Sequence, residues 1–378
     1  MFKKKNLILF YPSFERGGVE QILLNLIKKN KKFIIHIISS KNLLNTVSLK
    51  KKNLNFYSVQ KKIKISFLPQ RFITALNGMF VLISLLNKIK GKIIVHSMQS
   101  NVAAIIACIF KRKKIVIRNS ENPVYSVIHA ESKLVALVAT ILKLLFYNFT
   151  DGIITNSKGS KKSLRYFVFN KKKIISIYNP YLQKINKKVF KKKNYIINIA
   201  RLRKQKDHKT LLHAFKIFSK TNKKYKLLIL GHGNLENELK LMTEKLEISN
   251  KVIFKGWVKN TIPYLQRSKI FVLSSVYEGL GNVLIDSINY NVPCISTDCP
   301  SGPSEILLNG KGGYLVKPQS PKLLAQKMLY SINNYSNSLS KNLKAKKNLN
   351  RFLVEENTKK YFNYLESFIA FQKDNHEA

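Results

Sequence analysis

Acidic residues are what this sequence has least of. Asp and Glu number 19 against 68 Lys and Arg in 378 residues, a formal net charge of +49. That imbalance has two readings: an anionic partner such as nucleic acid or a membrane surface, or a genome-wide excess of Lys, Asn and Ile tolerated in solvated loops. The lysines fall in runs, as at Lys3–Lys5, Lys50–Lys52, Lys171–Lys173 and Lys191–Lys193, so charge alone decides nothing. Cysteine is also scarce. Cys108, Cys294 and Cys299 are odd in number and lack metal-ligand spacing, which excludes a disulfide framework, predicts no metal site and fits a reducing cytosol. Long apolar runs are missing too. Two helical stretches, Phe72–Ile89 and Leu134–Phe149, are strongly apolar; the second carries Lys143 inside it and is short for a membrane span, so a core helix is the expected reading. The apolar run at the N-terminus, Leu7–Tyr11, is followed by no small-residue cleavage site and reads as a first strand. No GxGxxG, helix-turn-helix, zinc finger, RNP motif or Asp-x-Asp pair occurs, leaving a dinucleotide site and a recognisable nucleic-acid module without support.

What is present centres on residues 271–308, entered through the apolar run that begins at Ile270. Ile270–Leu273 is short and apolar, as a buried strand requires, and is followed by Ser274, Ser275, Glu278, Gly279 and Gly281. Asn282 can then open a helix with Val283, Leu284, Ile285 and Ile288 on its inner side. The first amides of such a helix, at Gly281, Asn282 and Val283, lack intrahelical partners and attract an anion. Asn291-Val292-Pro293 ends the helix, Cys294–Ser296 reads as the next strand, and Ser301–Glu305 forms a second loop with glycine and an acid. Two acid-bearing loops at one end of a parallel sheet make a ligand crevice.

The segment EGLGNVLID…VPCISTDCPSGPSEIL resembles the donor-sugar segment of retaining, GT-B-fold glycosyltransferases of the family-4 type, the glycosyl transferases group 1. Glu278-x7-Asp286 stands where many members carry Glu-x7-Glu. The resemblance implies an α/β chain of two Rossmann-like domains facing across a cleft. It also implies that Glu278 binds donor-sugar hydroxyls, that Gly279, Leu280, Gly281, Asn282 and Val283 line the same pocket through their backbone, and that Asp286 faces the ribose. Asp is one methylene shorter than Glu, roughly 1.5 Å less reach. Glu305 either caps its helix or shapes the sugar pocket.

Other stretches fit the same frame. Strand Tyr195–Ala200 leads into Arg201-Leu202-x-x-x-Lys206, with Asp207 as N-cap of the next helix. This resembles the arrangement in which two cations hold the nucleotide diphosphate, so Arg201 and Lys206 are expected to stabilise charge on the leaving phosphate, while Arg203 lies on the surface. Gly231-His232-Gly233 resembles the Gly-x-Gly near the nucleotide, and the resemblance places Trp257 and Val258 beside the base. In the first half, strand Asn6–Tyr11 precedes Gly17-Gly18 and a helix from Val19 to Lys29. This loop resembles the glycine-rich loop facing donor and acceptor. His96, ending strand Ile93–Ser97, and Arg118, where the family commonly has a cleft histidine nearby, are candidate contacts to the acceptor or leaving phosphate.

The expected organisation is an acceptor-side domain over 1–182, a linker over 183–194, a nucleotide-sugar domain over 195–351, and a segment 352–378 whose helix crosses back to the first domain. The implied activity moves a hexose or N-acetylhexosamine from a nucleoside-diphosphate sugar, with UDP favoured, to a lipid-linked or envelope glycan such as a polyprenyl-diphosphate-linked acceptor. The configuration would be retained, with no cofactor and no nucleic acid. The expected location is cytoplasmic, peripheral to the inner membrane face, where two apolar helices and lysines could meet an anionic bilayer. A catalytically silent glycan-binding scaffold and a basic nucleic-acid binder are the alternatives.

Overall fold

The computed structural model describes residues 5–13, 18–41, 53–59, 63, 70–130 and 132–370. The chain divides into two compact units. The first takes the chain to Asn156, Ser160–Tyr181 and the stretch from Val354 onward, and the second takes Ser157–Gly159 and Leu182–Leu353.

Among the described residues, the first unit holds seven strands, β1 (Asn6–Phe10), β2 (Ile34–Ser39), β3 (Leu54–Ser58), β4 (Ile93–Ser97), β5 (Ile115–Asn119), β6 (Gly152–Thr155) and β7 (Ile174–Ser176). Its helices are α1 (Gly18–Lys29), α2 (Gln70–Lys88), α3 (Asn101–Phe110), α4 (Pro123–Ile128), α5 (Lys133–Phe146) and α6 (Lys158–Leu164), the last beginning within 157–159. The strands pair in parallel in the order β3-β2-β1-β4-β5-β6-β7. Both faces are covered. Ile8 and Phe10 point into one core with Leu82, Leu85 and Ile105, while Leu7 and Leu9 point into another with Leu23 and Leu26. This two-sided burial is why the strands read as continuous apolar runs rather than alternating ones. β3 and β7 escape the sequence reading because both are edge strands with little buried surface.

The second unit has the six-stranded parallel order β10-β9-β8-β11-β12-β13. Its strands are β8 (Tyr195–Ile199), β9 (Lys226–Leu230), β10 (Val252–Gly256), β11 (Ile270–Leu273), β12 (Cys294–Thr297) and β13 (Tyr314–Val316). The helices are α7 (His208–Thr221), α8 (Glu236–Lys245), α9 (Ile262–Arg267), α10 (Asn282–Asn289), α11 (Pro303–Ile306), α12 (Pro321–Asn333) and α13 (Tyr335–Lys346). Phe215, Phe218, Leu324 and Met328 close one face of the sheet over Ile196, Ile229, Ile270 and Ile295. The polar stretch 183–194 is laid along this unit. Asn289 accepts from the Asn186 amide and donates to the Lys184 carbonyl, and Lys192 Nζ donates to the Tyr290 carbonyl at 3.0 Å.

The last helix, α14 (Val354–Ala370), belongs to the first unit, where Tyr361, Phe362, Leu365 and Ile369 join Leu7, Ile94 and Val116 in one core. Tyr361 also receives a hydrogen bond from Arg118 Nε at 3.2 Å. The remaining guanidinium nitrogens of Arg118 donate to Ser120 Oγ and, at 2.7 Å, to Asn179 Oδ1. Arg118 is buried, and its side chain ties β5, α14 and the end of the unit together.

Leu134–Phe149 departs from its expected place in a core. In α5 only Ala136 is buried, and Leu134, Val135, Leu137, Val138, Ile141, Leu144 and Leu145 all face solvent. A helix apolar all round cannot be oriented by periodicity, and here the unit covers only a narrow strip of it.

Three histidines are buried as neutral rings, and desolvation lowers each from the ordinary 6.5 to about 4: His36 and His96 in the first unit, and His208 in the second. The unfolded chain therefore takes up protons first as pH falls. Their contribution is complete above about pH 6.5 and is lost between there and 4, with a limiting slope near 1.4 kcal/mol per pH unit for each ring. Urea unfolding across this range should show stability falling with acidity. Arg118→Met should cost about 3 kcal/mol by leaving buried acceptors unpaired, and the same denaturation measurement would read it.

Candidate functional site

The strand order of the second unit reverses between β8 and β11, because successive connections run first to one side of β8 and then to the other. The carboxyl ends of two strands at such a reversal are the usual ligand position in an open parallel sheet. Lys206 lies on the loop after β8 and Glu278 on the loop after β11. Their side chains meet: Lys206 Nζ is 2.5 Å from Glu278 Oε1, with the two side chains 19% and 7% exposed. Ser275 Oγ donates to the same oxygen at 2.7 Å.

Backbone contacts hold this meeting in place. The Val276 amide donates to the Gln205 carbonyl at 2.9 Å, Gln205 Nε2 to the Tyr277 carbonyl at 2.9 Å, and Ser274 Oγ to the Lys206 carbonyl at 2.8 Å. On the far side, Thr297 Oγ1 donates to the Ser275 carbonyl, and the Glu278 amide to the Pro300 carbonyl. Asp207 caps α7 by accepting from the Thr210 amide at 3.2 Å, and its left-handed backbone, φ 46°, turns the chain sharply after Lys206. Behind the loop, neutral His208 donates from Nε2 to Asn198 Oδ1, and Asn198 Nδ2 donates to the Val272 carbonyl, joining β8 to β11.

Glycines let the neighbouring loops approach. Gly231, at φ 137°, would put a Cβ 1.9 Å from the Ala200 carbonyl oxygen, and a Cβ on Gly233 would lie 2.3 Å from that of Leu202. The Gly-His-Gly segment therefore lies directly against the Arg201 loop, with the Leu202 amide bonded to the His232 carbonyl. Gly302 packs equally close to the backbone of Leu280. Gly281, at φ 87°, is the N-cap of α10 and supplies no capping side chain, so α10 presents its first-turn backbone at the same end of the sheet.

The remaining expected residues divide by location. Arg201 is exposed on the β8 loop, and Gly279 and Leu280, the two residues after Glu278, are buried. Asn282, Val283 and Asp286 are half-buried in the first turns of α10. Trp257, 53% exposed, and half-buried Val258 follow edge strand β10, whose Gly256 carbonyl accepts from the Gly231 amide at 2.8 Å. The Glu305 carboxylate accepts from the amides of Lys158 and Gly159, so it caps a helix other than its own. In the first unit, Gly18 begins α1 and is exposed, while Gly17 lies outside the described residues. His96 is fully buried, with Nδ1 donating to the Val116 carbonyl at 3.0 Å. Neither His96 nor Arg118 offers a surface a ligand can reach, which corrects the expectation for both: strand-end position in sequence did not translate into exposure.

Sequence reasoning passed over Ser275 and Gln205. Ser275 was visible as a small residue at a strand end, but nothing marked it as the donor that fixes Glu278. Among the described residues no His, Cys, Asp and Glu group is arranged to hold a metal ion.

Residues 182–350, nearly the whole of this unit, match the family described as Glycosyl transferases group 1. That match lies within the second unit and spans under half of the chain. It is similar to the uncharacterised glycosyltransferase MJ1059 of Methanocaldococcus jannaschii, 34% identical over 62% of this chain and 65% of that one. It is also 31% identical, over 60% of this chain and 62% of the other, to the N-acetylgalactosamine-N,N'-diacetylbacillosaminyl-diphospho-undecaprenol 4-alpha-N-acetylgalactosaminyltransferase of Campylobacter jejuni. The aligned stretches thus span under two thirds of those two proteins. Over 97% of its length the chain has the fold of the Anabaena Alr3699/HepE crystal structure in complex with UDP and glucose, which it covers completely with a TM-score of 0.77 at 17% identity. The fold of the chain is GT-B.

A double-mutant cycle on Lys206→Met and Glu278→Gln, read by denaturant unfolding, should give a coupling of about 1–3 kcal/mol. Gly231→Ala should destabilise the second unit by more than about 2 kcal/mol through both strain and backbone overlap.

Proposed function

We propose that the chain is a retaining glycosyltransferase that moves a hexose or N-acetylhexosamine from a UDP-sugar to a hydroxyl of a lipid-linked or envelope glycan. The observation that carries this reading is the Lys206–Glu278 pair where the strand order reverses. A cation and a carboxylate in contact suit a ligand with an anionic end and a hydroxylated end. Glu278 receives Lys206 and Ser275 on Oε1, so Oε2 would serve the sugar hydroxyls. Lys206, with Arg201 on the same loop, would take the charge that builds on the departing phosphate. A preplaced cation stabilises the transition state more than the ground state. The backbone at the start of α10 adds a dipole of the sign that favours an anion. Asp286 would reach the ribose, and Trp257 and Val258 the base.

The UDP donor is supported by the HepE crystal structure's ligands and by the DCPSGPSEIL loop. The lipid-linked acceptor is supported by the name of the Campylobacter relative, a transferase acting on a diphospho-undecaprenol-linked glycan. The chemistry needs no cofactor, since two cations can neutralise the diphosphate.

The test is nucleotide release from a panel of UDP- and GDP-sugars, alongside thermal shift. Slow hydrolysis of a UDP-hexose or UDP-N-acetylhexosamine is expected. Lys206→Ala and Glu278→Ala should each reduce it by about a hundredfold or more while leaving the fold intact. No stabilisation by any nucleotide sugar, or unchanged rates in both variants, would overturn the assignment.

A further inference from the structure

The first unit carries an apolar surface that its own core does not use. In α5, Leu134, Leu137, Val138, Ile141 and Leu145 form one continuous stripe, and Leu134 is 71% exposed. α5 packs beside α3, which adds exposed Ile106, Ile109 and Phe110, the last 70% exposed. At the other end of α5, Asn148 accepts from the Phe169 amide at 2.8 Å and so brings the loop after α6 alongside. That loop holds Phe169, 84% exposed, and Phe149, the residue after Asn148, is exposed as well. Scattered single apolar residues on a surface need no explanation, but a contiguous face of this composition does.

Cations frame the face. Lys111, Arg112 and Lys113 follow α3, Lys133 opens α5, and Lys171 and Lys172 lie beyond Phe169. Lys111 Nζ sits 4.8 Å from the centre of the Phe110 ring, a charge folded over the apolar edge. In the sequence from 101 to 173 the acids are Glu121, Glu131 and Asp151 alone, and Asp151 is paired with Lys114. Asp151 also accepts from the Ile115 amide.

We propose that this face, centred on α5, is a membrane-docking surface that inserts into the interface of an anionic bilayer. Geometry sets the mode. Fourteen residues make a helix about 21 Å long, short of the roughly 30 Å hydrocarbon core, and no described helix is long and apolar enough to cross a membrane. The helix therefore lies in the plane, with its leucines below the headgroups and the lysines level with them. Charge selects the occupant. A second copy of this chain would bring the same lysines against each other, whereas an anionic leaflet attracts every one of them. The inference deepens the acceptor reading, because a lipid-linked acceptor is delivered at that surface, yet it rests on exposure and charge rather than on the transfer chemistry.

The full chain should float with vesicles of equal parts phosphatidylglycerol and phosphatidylcholine, and weakly or not at all with phosphatidylcholine alone. Leu137→Glu with Ile141→Glu, both at exposed positions, should weaken flotation by more than about tenfold. Lys111→Glu with Lys113→Glu should also weaken it, and raised salt should mimic that loss. Each variant should keep the parent melting temperature and the parent response to UDP-sugars. Undiminished flotation of the Leu137→Glu/Ile141→Glu variant would overturn the proposal. So would failure of the parent to bind anionic vesicles, or a dimer in sedimentation that the variant dissolves. Vesicle binding without any nucleotide-sugar response would leave this inference standing and remove the transferase reading.

Discussion

The contact between Lys206 and Glu278 is the constraint on which the functional half of this chain depends. Two groups that would each be costly to bury alone sit largely out of water because they neutralise one another, with Ser275 as a third participant. Neither residue could reach the other from an arbitrary pair of loops. They meet because β8 and β11 are neighbours in the sheet although separated in sequence by β9 and β10. Close backbone approaches at Gly231, Gly233 and Gly302 draw the flanking loops to the same end. Removing a side chain from those glycines is what allows three strand-end loops to share so little space.

The first unit shows how the same architecture can serve another purpose. Its sheet also reverses order at its first strand, between β1 and β4, yet the polar residues placed near its strand ends are turned inward. Arg118 joins Tyr361, Ser120 and Asn179, and His96 is packed against Tyr361 with its ring neutral. These side chains secure α14 and the strand ends. What this unit offers outward, among the described residues, is a run of exposed apolar side chains on α5 and α3.

Legibility in the sequence followed the directness of the physical signal. The run from Ile270 to Glu305 was readable in detail, because strand, glycine turn, helix and second strand each carry their own marker, and β11, α10 and β12 fall where those markers lie. Asp207 as N-cap was equally plain. Edge strands β3 and β7 were not, since strands buried on one side or barely at all lose the apolar run that betrays a central strand. His96 misled for a related reason: the end of a strand in sequence is not the end of its cover in space.

Alone, the sequence determined the two parallel α/β units, the loops that bear Lys206 and Glu278, and the family resemblance, because local periodicity, glycine position and short motifs act within a few residues. Tertiary structure decided which polar residues face a ligand and which are bound inside. It gave Glu305 a helix to cap, sealed His96 and Arg118, and left α5 uncovered. Those outcomes depend on what packs against a side chain from distant parts of the chain, and an apolar helix or a strand-end histidine carries no local sign of it.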